Sequence, residues 1–375
     1  MSSEPAIEIS GAGPAGLAAA LAVLRAGRVA CVYERHEDVG KRFHGDFQGL
    51  ENWTIDIDIL DELASLGIEA GFEHTPFHEV ICFSPDGTSR EFRSTQALFY
   101  LIRRGNGAGC FDTALKQQAL DAGVEIRFGE TLHHLPTGGI VTQGPRRADA
   151  IVAGYLFETG MANGAYAAIS DQLAPKGYAY LLICDGRATL ASCLFDDFHN
   201  ERHYLEKCVT FFTEKVGVSM NNPRRFGGGG NFSLPRTARK GDILYAGESA
   251  GFQDPLFGFG IRWAMISGAE AGRALADNDP ARYEQVWKQR LRAYHQTAAT
   301  NRWFYKRLGD RGYAAALRKF PQGQDVRTWM QRAYAPSLWK WAWYYTIASR
   351  RNKPLLQVHE DCDCTWCRCE RHMQM

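Results

Sequence analysis

The stretch IEISGAGPAGLAAALAVLRAG, residues 7–27, decides the fold of this chain. A short β-prone run leads into a glycine-rich loop and then into a helix rich in alanine and leucine. In a Rossmann unit the first glycine permits a tight turn, the second lets the backbone approach a pyrophosphate, and the third allows helix and strand to pack closely. The N–H groups at the helix start favour an anion. The loop residues predicted to contact a dinucleotide are Gly11, Gly13, Pro14, Ala15 and Gly16.

A second strand follows at the spacing that this unit requires. Val29–Tyr33 reads VACVY and ends at Glu34. In dinucleotide-binding proteins an acidic side chain about 20 residues downstream accepts hydrogen bonds from a ribose. A carboxylate at this place also disfavours a 2′-phosphate. We therefore expect Glu34 to bind a ribose.

A second glycine-rich segment, GESAGFQDPLFGFG at residues 247–260, lies far downstream. It follows the strand-like run 243–246, so the Glu248 carboxylate would emerge where open α/β sheets bind ligands and could accept a ribityl hydroxyl. Gly258–Gly260 precedes a helix that begins at Ile261, and its N-terminus would stabilise negative charge on a flavin ring. Two such segments favour FAD over a nicotinamide. The alternative is a glycine-rich turn that caps a core helix.

Length and composition limit the class of protein. At 375 residues the chain suits two joined domains, and its net charge of +1 predicts no nucleic-acid partner. It opens MSSEPAIEIS, without the regions of a signal peptide, and no apolar run reaches the ~18 residues of a transmembrane helix. We therefore expect a cytoplasmic protein with reduced thiols. The scattered cysteines are Cys31, Cys82, Cys110, Cys184, Cys193 and Cys208.

The order of helical and strand-like segments predicts an α/β architecture. Residues 111–122 have helical periodicity, and Val124–Phe128 reads as a parallel strand. The run ADAIVAG at 148–154 is interpreted as a strand that returns to the nucleotide domain. We expect a Rossmann-type FAD-binding domain with an inserted mixed β-sheet substrate domain and a helical C-terminal region. The expected bounds are 1–153 and 225–280 for the FAD-binding domain, 154–224 for the substrate-domain sheet, 281–355 for the helical region and 356–375 for a cysteine-rich tail.

Three stretches are similar to motifs of the geranylgeranyl reductase family, within the wider FAD-dependent class that includes the aromatic hydroxylases. They are GAGPAG with its acidic-basic pair at 34–35, YLIRR followed by FDTALKQQALDAG, and GESAGFQDPLFGFGI at 247–261. The resemblance covers roughly residues 5–275 and implies FAD as the cofactor. The family usually has Asp where this chain has Glu248. The further cofactor contacts that the resemblance implies are Arg35, Gly247, Glu248, Pro255, Gly258, Phe259, Gly260 and Ile261.

Two arginines end the YLIRR run just before a glycine-rich loop. Arginine forms charge-assisted hydrogen bonds with phosphate and other anionic oxygens. We expect Arg103 or its neighbour Arg104 to cover the phosphate or the ribityl chain of the flavin. The alternative is a pair of solvated side chains.

The loop Gly40–Asp46 resembles one that passes the flavin ring in this family, and Arg42 is predicted to contact the cofactor. Related reductases often carry a cysteine in that loop, and this chain has none. The nearest candidates for a proton donor are therefore His44 and Asp46. The alternative for His44 is a structural role.

A further match, PKGYAYLL at 175–182, resembles the PxxYxWxFP motif that lines the isoprenoid cavity of the family. Tyr180 replaces the tryptophan and Leu182 replaces the phenylalanine. The resemblance implies a cavity for a hydrophobic small molecule or a lipid. Its predicted lining residues are Tyr178, Tyr180, Leu182 and Phe257.

The cofactor leaves three functions open. Reduced FAD can deliver a hydride to a carbon–carbon double bond of an isoprenoid or other lipid, or react with oxygen and hydroxylate a hydrophobic or aromatic substrate. The third function is that of a non-catalytic redox sensor that uses the cysteine tail. No second GxGxxG motif marks a separate NADPH domain. This favours a ferredoxin-type protein or a transiently bound NAD(P)H as electron donor.

The region from Asn301 to Leu355 is basic and aromatic. It contains the cluster WKWAWYY at 339–345, and its cations greatly outnumber its two carboxylates. Tryptophan and tyrosine settle at the headgroup level of a bilayer, and cations attract anionic lipid. One interpretation is peripheral contact with the inner face of the membrane. The other is that these aromatic residues pack over the substrate cavity as a helical core.

The C-terminal tail places four thiols within eight residues. Cysteine thiolates at such density favour a tetrahedral metal ion, and Zn²⁺ is the natural candidate. An iron–sulfur cluster is disfavoured because the CxCxxCxC spacing matches none of the common cluster motifs. The alternative is a redox-active or incidental tail. The predicted ligands are Cys362, Cys364, Cys367 and Cys369.

Overall fold

The computed structural model describes residues 4–145, 148–320, 323–349 and Trp366. In this part of the chain there are sixteen strands and nine α-helices. The strands are β1 (Ile7–Ser10), β2 (Ala30–Glu34), β3 (Phe47–Glu51), β4 (His74–Phe77), β5 (Glu79–Phe83), β6 (Ser89–Arg93), β7 (Phe99–Arg103), β8 (Glu125–Phe128), β9 (Gly139–Val141), β10 (Ala150–Glu158), β11 (Gly164–Ala168), β12 (Tyr178–Cys184), β13 (Arg187–Leu194), β14 (Asn221–Gly230), β15 (Arg239–Lys240) and β16 (Ile243–Tyr245). The helices are α1 (Pro14–Arg25), α2 (Ile59–Leu66), α3 (Phe111–Asp121), α4 (Glu201–Val216), α5 (Ile261–Ala276), α6 (Pro280–Val286), α7 (Arg292–Lys319), α8 (Val326–Tyr334) and α9 (Leu338–Trp343).

The first sheet contains the predicted Rossmann unit. Its strand order is β15-β16-β9-β1-β2-β8, and all neighbouring strands are parallel except β15 and β16. The first strand, the glycine loop and α1 coincide with the stretch that predicted them. The expected α/β fold with a Rossmann-type domain, a second mixed sheet and a helical C-terminal region is confirmed.

Close packing of α1 on α5 brings the two glycine-rich segments together. A Cβ atom on Gly268 would lie 2.0 Å from the carbonyl oxygen of Ala15, and one on Gly272 would lie 2.3 Å from that of Ala19. Only glycine therefore permits the two helix backbones to approach so closely. The middle of α5 is thereby held beside the start of α1, although the two are far apart in sequence.

One strand lies in a different sheet from the one expected. The run ADAIVAG was predicted to return to the nucleotide domain, but β10 pairs with β13 and β14 in the second sheet. The place beside β1 belongs to β9, which is three residues long. The sequence signal favoured the long apolar strand because a three-residue strand that begins with glycine has almost no pattern of its own.

The second sheet has the order β14-β10-β13-β12-β11-β5-β6 and is antiparallel except where β11 meets β5. It draws β5 and β6 from a segment that precedes α3, so it is not built from residues 154–224 alone. Helix α4 covers one face, and a buried cluster that includes Leu181, Leu190 and Phe212 joins them. A third sheet, β3-β7-β4, is also present in the described chain.

The C-terminal helices are fastened to the rest of the molecule by side chains. Helix α7 is broken at Gly309, whose φ is 59°. The Tyr305 hydroxyl donates to the Gly177 carbonyl at 2.7 Å, and the Arg327 guanidinium donates to the Asn52 carbonyl at 2.6 Å. Among the described helices, none is both long enough and apolar enough to cross a membrane.

Candidate active site

A cavity of about 1220 Å³ extends between the first sheet, the second sheet and the C-terminal helices. This volume exceeds the about 300–1,000 Å³ of most small-molecule sites. We call one end the glycine end; its walls come from Ser10–Ala15, Tyr33–His36 and Gly247–Glu248. We call the other the apolar end; its walls come from β5, β11, β12, α7 and α8.

The glycine end has the geometry of a dinucleotide site. Gly11 has a φ of 106°, and a Cβ atom on Gly13 would meet no atom within 4 Å, so the backbone there is open to a ligand. Pro14 occupies the first turn of α1, where an N–H has no intrahelical partner. Pro14 and Ala15 line the cavity, whereas Gly16 does not. A Cβ on Gly16 would lie 1.8 Å from the Gly11 carbonyl oxygen, so this glycine acts in packing.

Glu34 and Arg35 lie where β2 ends, on the wall of the glycine end. The Glu34 carboxylate accepts the N–H of Ala12 at 2.9 Å and that of His36 at 3.1 Å. It is therefore held beside the glycine loop, where the sequence predicted a ribose contact. Arg35 donates from Nε to the His36 ring at 3.0 Å.

Glu248 joins three segments that are distant in sequence. Its carboxylate accepts from Arg42 Nη1 at 2.8 Å and from the Asn231 N–H at 2.9 Å. Arg42 also donates to the Gly229 carbonyl. Arg42, Gly247 and Glu248 all line the cavity, as the motif predicted.

The loop before α5 is organised by a buried carboxylate. Asp254 accepts the Leu256 N–H at 3.1 Å, the Phe257 N–H at 2.7 Å and the Tyr334 hydroxyl at 2.8 Å. Burial raises the pKa of Asp254 to about 6, against the lowering effect of these hydrogen bonds. The loop residues on the cavity wall include Gly258, Phe259, Gly260 and Ile261, whereas Pro255 is not among them.

The structure places Arg103 away from the cavity. Its guanidinium donates to Glu73 at 2.8 Å and to the Ala108 carbonyl at 2.7 Å. Arg104 is the arginine on the cavity wall, held by two hydrogen bonds to Asp112 of 2.8 and 2.7 Å. Successive side chains of an extended chain point to opposite sides, so only one of the two adjacent arginines can face the cavity.

The two predicted proton donors also separate. Asp46 is buried and lines the cavity, where it accepts the His44 N–H at 3.0 Å and the Gln48 amide at 2.8 Å. His44 does not line the cavity, and its hydrogen bond to Asp46 is donated by its backbone N–H. The structure therefore places Asp46, but not His44, where it could reach a ligand.

The apolar end is assembled from the predicted motif on β12. Tyr178, Tyr180 and Leu182 alternate along the strand and face the cavity together with Phe257. The Tyr178 hydroxyl donates to the Phe257 carbonyl, which ties the second sheet to the loop before α5. Burial raises the pKa of Tyr180 well above its ordinary value, and the nearby Asp46 carboxylate raises it further.

Several cavity residues escaped the sequence analysis. The backbone of β14 borders the cavity through a run of four glycines, Gly227–Gly230. This glycine run is visible in the sequence and could have been predicted to border the cavity. Trp53 and the α7 and α8 side chains had no such signal, because only the tertiary fold brings them to the cavity. The helix side chains include Tyr305, Tyr313, Trp329 and Met330, and Phe320, directly after α7, lines the cavity as well.

The predicted zinc ligands Cys362, Cys364, Cys367 and Cys369 lie outside the described residues. Within the described part of the chain, there is no group of three or more metal-ligating side chains. The six other cysteines are buried free thiols.

Comparisons with known proteins support the fold. No protein-family profile matches the sequence, and no curated protein is matched by it. A geranylgeranyl bacteriochlorophyll reductase-like protein from Thermoplasma acidophilum is similar in structure, with a TM-score of 0.67, 16% identity and coverage of 92% of this chain and 96% of that one. A flavin-dependent brominase is similar with a TM-score of 0.61, 16% identity and coverage of 87% and 92%.

A third similar structure is a p-nitrophenol 4-monooxygenase from Pseudomonas putida, with a TM-score of 0.58, 14% identity and coverage of 93% and 97%. Each similarity spans nearly the whole of both chains, at an identity that speaks for the fold alone. The chain therefore has the fold of the FAD-dependent oxidoreductases, which confirms, at the level of the fold, the resemblance to the geranylgeranyl reductase family.

Proposed function

We propose that this protein is an FAD-dependent oxidoreductase that reduces carbon–carbon double bonds of an isoprenoid or other lipid-like substrate. One observation carries the proposal: the cavity that is lined at one end by a dinucleotide-type glycine loop is lined at the other by aromatic and aliphatic side chains. Walls of this kind suit an apolar substrate. The resemblance of the β12 motif to an isoprenoid cavity supports the same substrate class.

The glycine end fits FAD. Gly13 leaves the space that a pyrophosphate needs, and the start of α1 supplies free N–H groups. Glu34 would hold the adenosine ribose, and the Arg42–Glu248 pair would face the ribityl chain. When bound, FAD would supply hydride transfer between its ring and the substrate. Electrons would come from NAD(P)H or from a ferredoxin-type protein.

The side chains of the apolar end would orient the substrate and exclude water. Tyr180 keeps its phenolic proton because burial raises its pKa. Asp46 lies on the same wall and remains a candidate proton donor, either directly or through Tyr180. Zinc binding by the cysteine tail stays a separate prediction, to be checked by metal analysis of the purified protein.

Single-turnover chemistry tests the proposal. The purified, flavin-loaded protein is reduced without oxygen and mixed with a prenylated substrate, and the product is analysed by mass spectrometry. We expect the flavin to reoxidise and the product to gain two hydrogen atoms for each double bond. Tyr180→Phe should slow this step, while Tyr155→Phe serves as the matched control, because Tyr155 lies on β10 of the same sheet and does not line the cavity. A product that gains an oxygen atom only in air would overturn the proposal in favour of a monooxygenase.

A further inference from the structure

Helix α9 and the turn after it expose an unusual number of large apolar side chains. Leu338 is 88% exposed, Trp339 56% and Trp341 55%, and Tyr345 and Ile347 follow them on the exposed surface. We call these five residues the α9 patch. Contiguous apolar surface of this kind marks a site of interaction with another molecule or with a membrane.

The amphipathicity of α9 is inverted relative to that of a helix that faces water. Its single charged side chain, Lys340, is buried, and its ammonium group donates to the carbonyls of Ala333 and Ala335 at 2.7 and 3.3 Å. The Thr300 hydroxyl donates to the Lys340 carbonyl at 3.1 Å, which fastens the helix to α7. Burial of Lys340 therefore holds the leucine and the tryptophans outward. A water-facing helix would have the opposite arrangement.

The α9 patch adjoins the mouth of the cavity. Trp339 belongs both to the patch and to the cavity wall. Three further exposed apolar residues, Phe304, Leu308 and Trp329, also line the cavity, and the rings of Trp339 and Phe304 lie 6.2 Å apart. An apolar chain could therefore enter the cavity from the surface along largely apolar side chains.

The segment that carries the patch has an excess of positive charge. From Arg292 to Ser349 the sequence contains ten lysine and arginine residues and two aspartates, a formal charge of +8 in a chain whose total is +1. Three of these cations, Arg302, Arg327 and Lys340, are buried, so the other seven supply the positive charge available to an anionic surface. Both aspartates are engaged away from the patch: Asp310 accepts the Asp171 N–H at 2.7 Å, and Asp325 accepts the Thr95 N–H at 2.9 Å. Arg307 lies 3.6 Å from the centre of the Trp303 ring, within the same aromatic cluster.

We infer that the α9 patch docks on an anionic lipid bilayer and admits the lipid substrate into the cavity directly from it. The substrate part of this inference rests on the proposed function. Tryptophan and tyrosine settle at the headgroup level, and cations add about 1 kcal/mol each near an anionic surface. Docking is peripheral, since the described helices include no candidate membrane span. A second copy of the chain would face the same excess of positive charge and is disfavoured as the occupant.

Vesicle sedimentation tests docking on the full-length, flavin-loaded protein. Vesicles of phosphatidylcholine alone are compared with vesicles that contain about a third phosphatidylglycerol. We expect binding to the anionic vesicles, weakened by salt and reduced about tenfold in the double variant Trp339→Ala and Trp341→Ala. The matched control is Val29→Ala with Leu120→Ala, two exposed apolar residues of the Rossmann-type domain, which should bind as the wild type does. Equal binding of both double variants would overturn the inference.

Two further measurements separate the possible failures. Turnover of a prenyl substrate dispersed in detergent reports on the proposed function, whereas turnover of the same substrate in vesicles also needs docking. We expect a double variant of two patch residues that do not line the cavity, Leu338→Ala with Trp341→Ala, to lose turnover in vesicles and keep it in detergent. Loss in both, with vesicle binding intact, would overturn docking as the route of substrate entry. Light scattering that shows a dimer broken by the tryptophan variant, without vesicle binding, would assign the patch to a second copy.

Discussion

At the glycine end of the cavity, the consecutive residues from Gly11 to Ala15 form the wall, and a Cβ atom added at the adjacent Gly16 would meet other backbone atoms. At the apolar end, side chains from three strands and two helices share the wall, and each contributes a part of its surface. The first end depends on backbone geometry, which at Gly16 leaves no room for a side chain. The second is specified by volume and polarity, so single residues there can vary while the cavity persists.

The largest effect should follow from Gly16→Ala. The new Cβ would lie 1.8 Å from the Gly11 carbonyl oxygen and 2.8 Å from Thr142 Oγ1, and both neighbours are held by hydrogen bonds. We expect the free energy of unfolding to fall by about 3 kcal/mol or more, measured by urea denaturation. A variant as stable as the wild type would show that the backbone around Gly16 can move enough to accommodate a Cβ atom, which would contradict the steric argument.

The free energy of unfolding should depend on pH through the buried His295. Burial lowers the pKa of this histidine to about 4, its ring contacts Phe252 and Trp263, and Nδ1 donates to the Leu291 carbonyl. Because the folded pKa lies below the unfolded one, its contribution is present above about pH 6.5 and is lost as the pH falls toward about 4. Between about pH 7 and about pH 5 we expect a loss of about 2 kcal/mol in the free energy of unfolding.

The control for that prediction is His295→Phe, which keeps a ring and removes the titrating group. Its absolute stability at neutral pH is lower because one hydrogen bond is lost. Its stability should nevertheless fall less than that of the wild type between the two pH values. Parallel pH dependences in wild type and variant would contradict the role assigned to His295.

Gly13→Ala should affect binding and leave folding unchanged. A Cβ at this position meets no protein atom within 4 Å, so it would occupy only the space of a ligand. We expect FAD to bind about tenfold more weakly, from the loss of close backbone approach to the pyrophosphate. Flavin titration followed by fluorescence measures the affinity, and urea denaturation of the flavin-free protein supplies the control. Unchanged affinity would mean that the pyrophosphate lies elsewhere.

The smallest effect on stability is expected from Ala167→Leu at the apolar end. Ala167 is half-buried and lines the cavity, so the larger side chain enters existing space, and stability should stay within about 0.5 kcal/mol. Shorter prenyl chains should then be preferred over longer ones. The adjacent Ala168→Leu is the control, because Ala168 is buried in the core beneath the sheet and overpacking there costs about 1–3 kcal/mol. Equal losses of stability in both variants would contradict the distinction between a cavity wall that has room for a larger side chain and a core that has none.

The motifs made of consecutive residues lie together in the structure. The glycine loop, Glu34 at the end of β2 and the segment before α5 all line one cavity, because each motif carries its own turn and helix start. The sequence left Arg103 and Arg104 as alternatives, since adjacent side chains of an extended chain face opposite ways, and the structure places Arg104 on the cavity wall. The sequence pattern also misplaced one strand. It chose the wrong strand at Ala148–Gly154, since β9 is too short to have a pattern.

The aromatic residues of the C-terminal helices divide between the cavity and the surface, and contact with a membrane stays a prediction. Tyr305 and Tyr334 face inward and help to build the apolar end, while Trp339 and Trp341 are largely exposed. Composition could not separate them, because aromatic residues are equally suited to a core and to a membrane surface. Because Lys340 is buried, the leucine and two of the tryptophans of α9 face outward.

By itself, the sequence determined the Rossmann unit, the glycine positions and the expectation that two distant segments meet, which the structure places on one cavity. These depend on backbone conformations and steric limits that a few neighbouring residues impose. The tertiary structure alone decided which arginine faces the cavity, which strand lies beside β1, and that α7, α8 and the α9 patch adjoin the same cavity. Those features depend on packing between segments far apart in the chain, and no local pattern encodes such contacts.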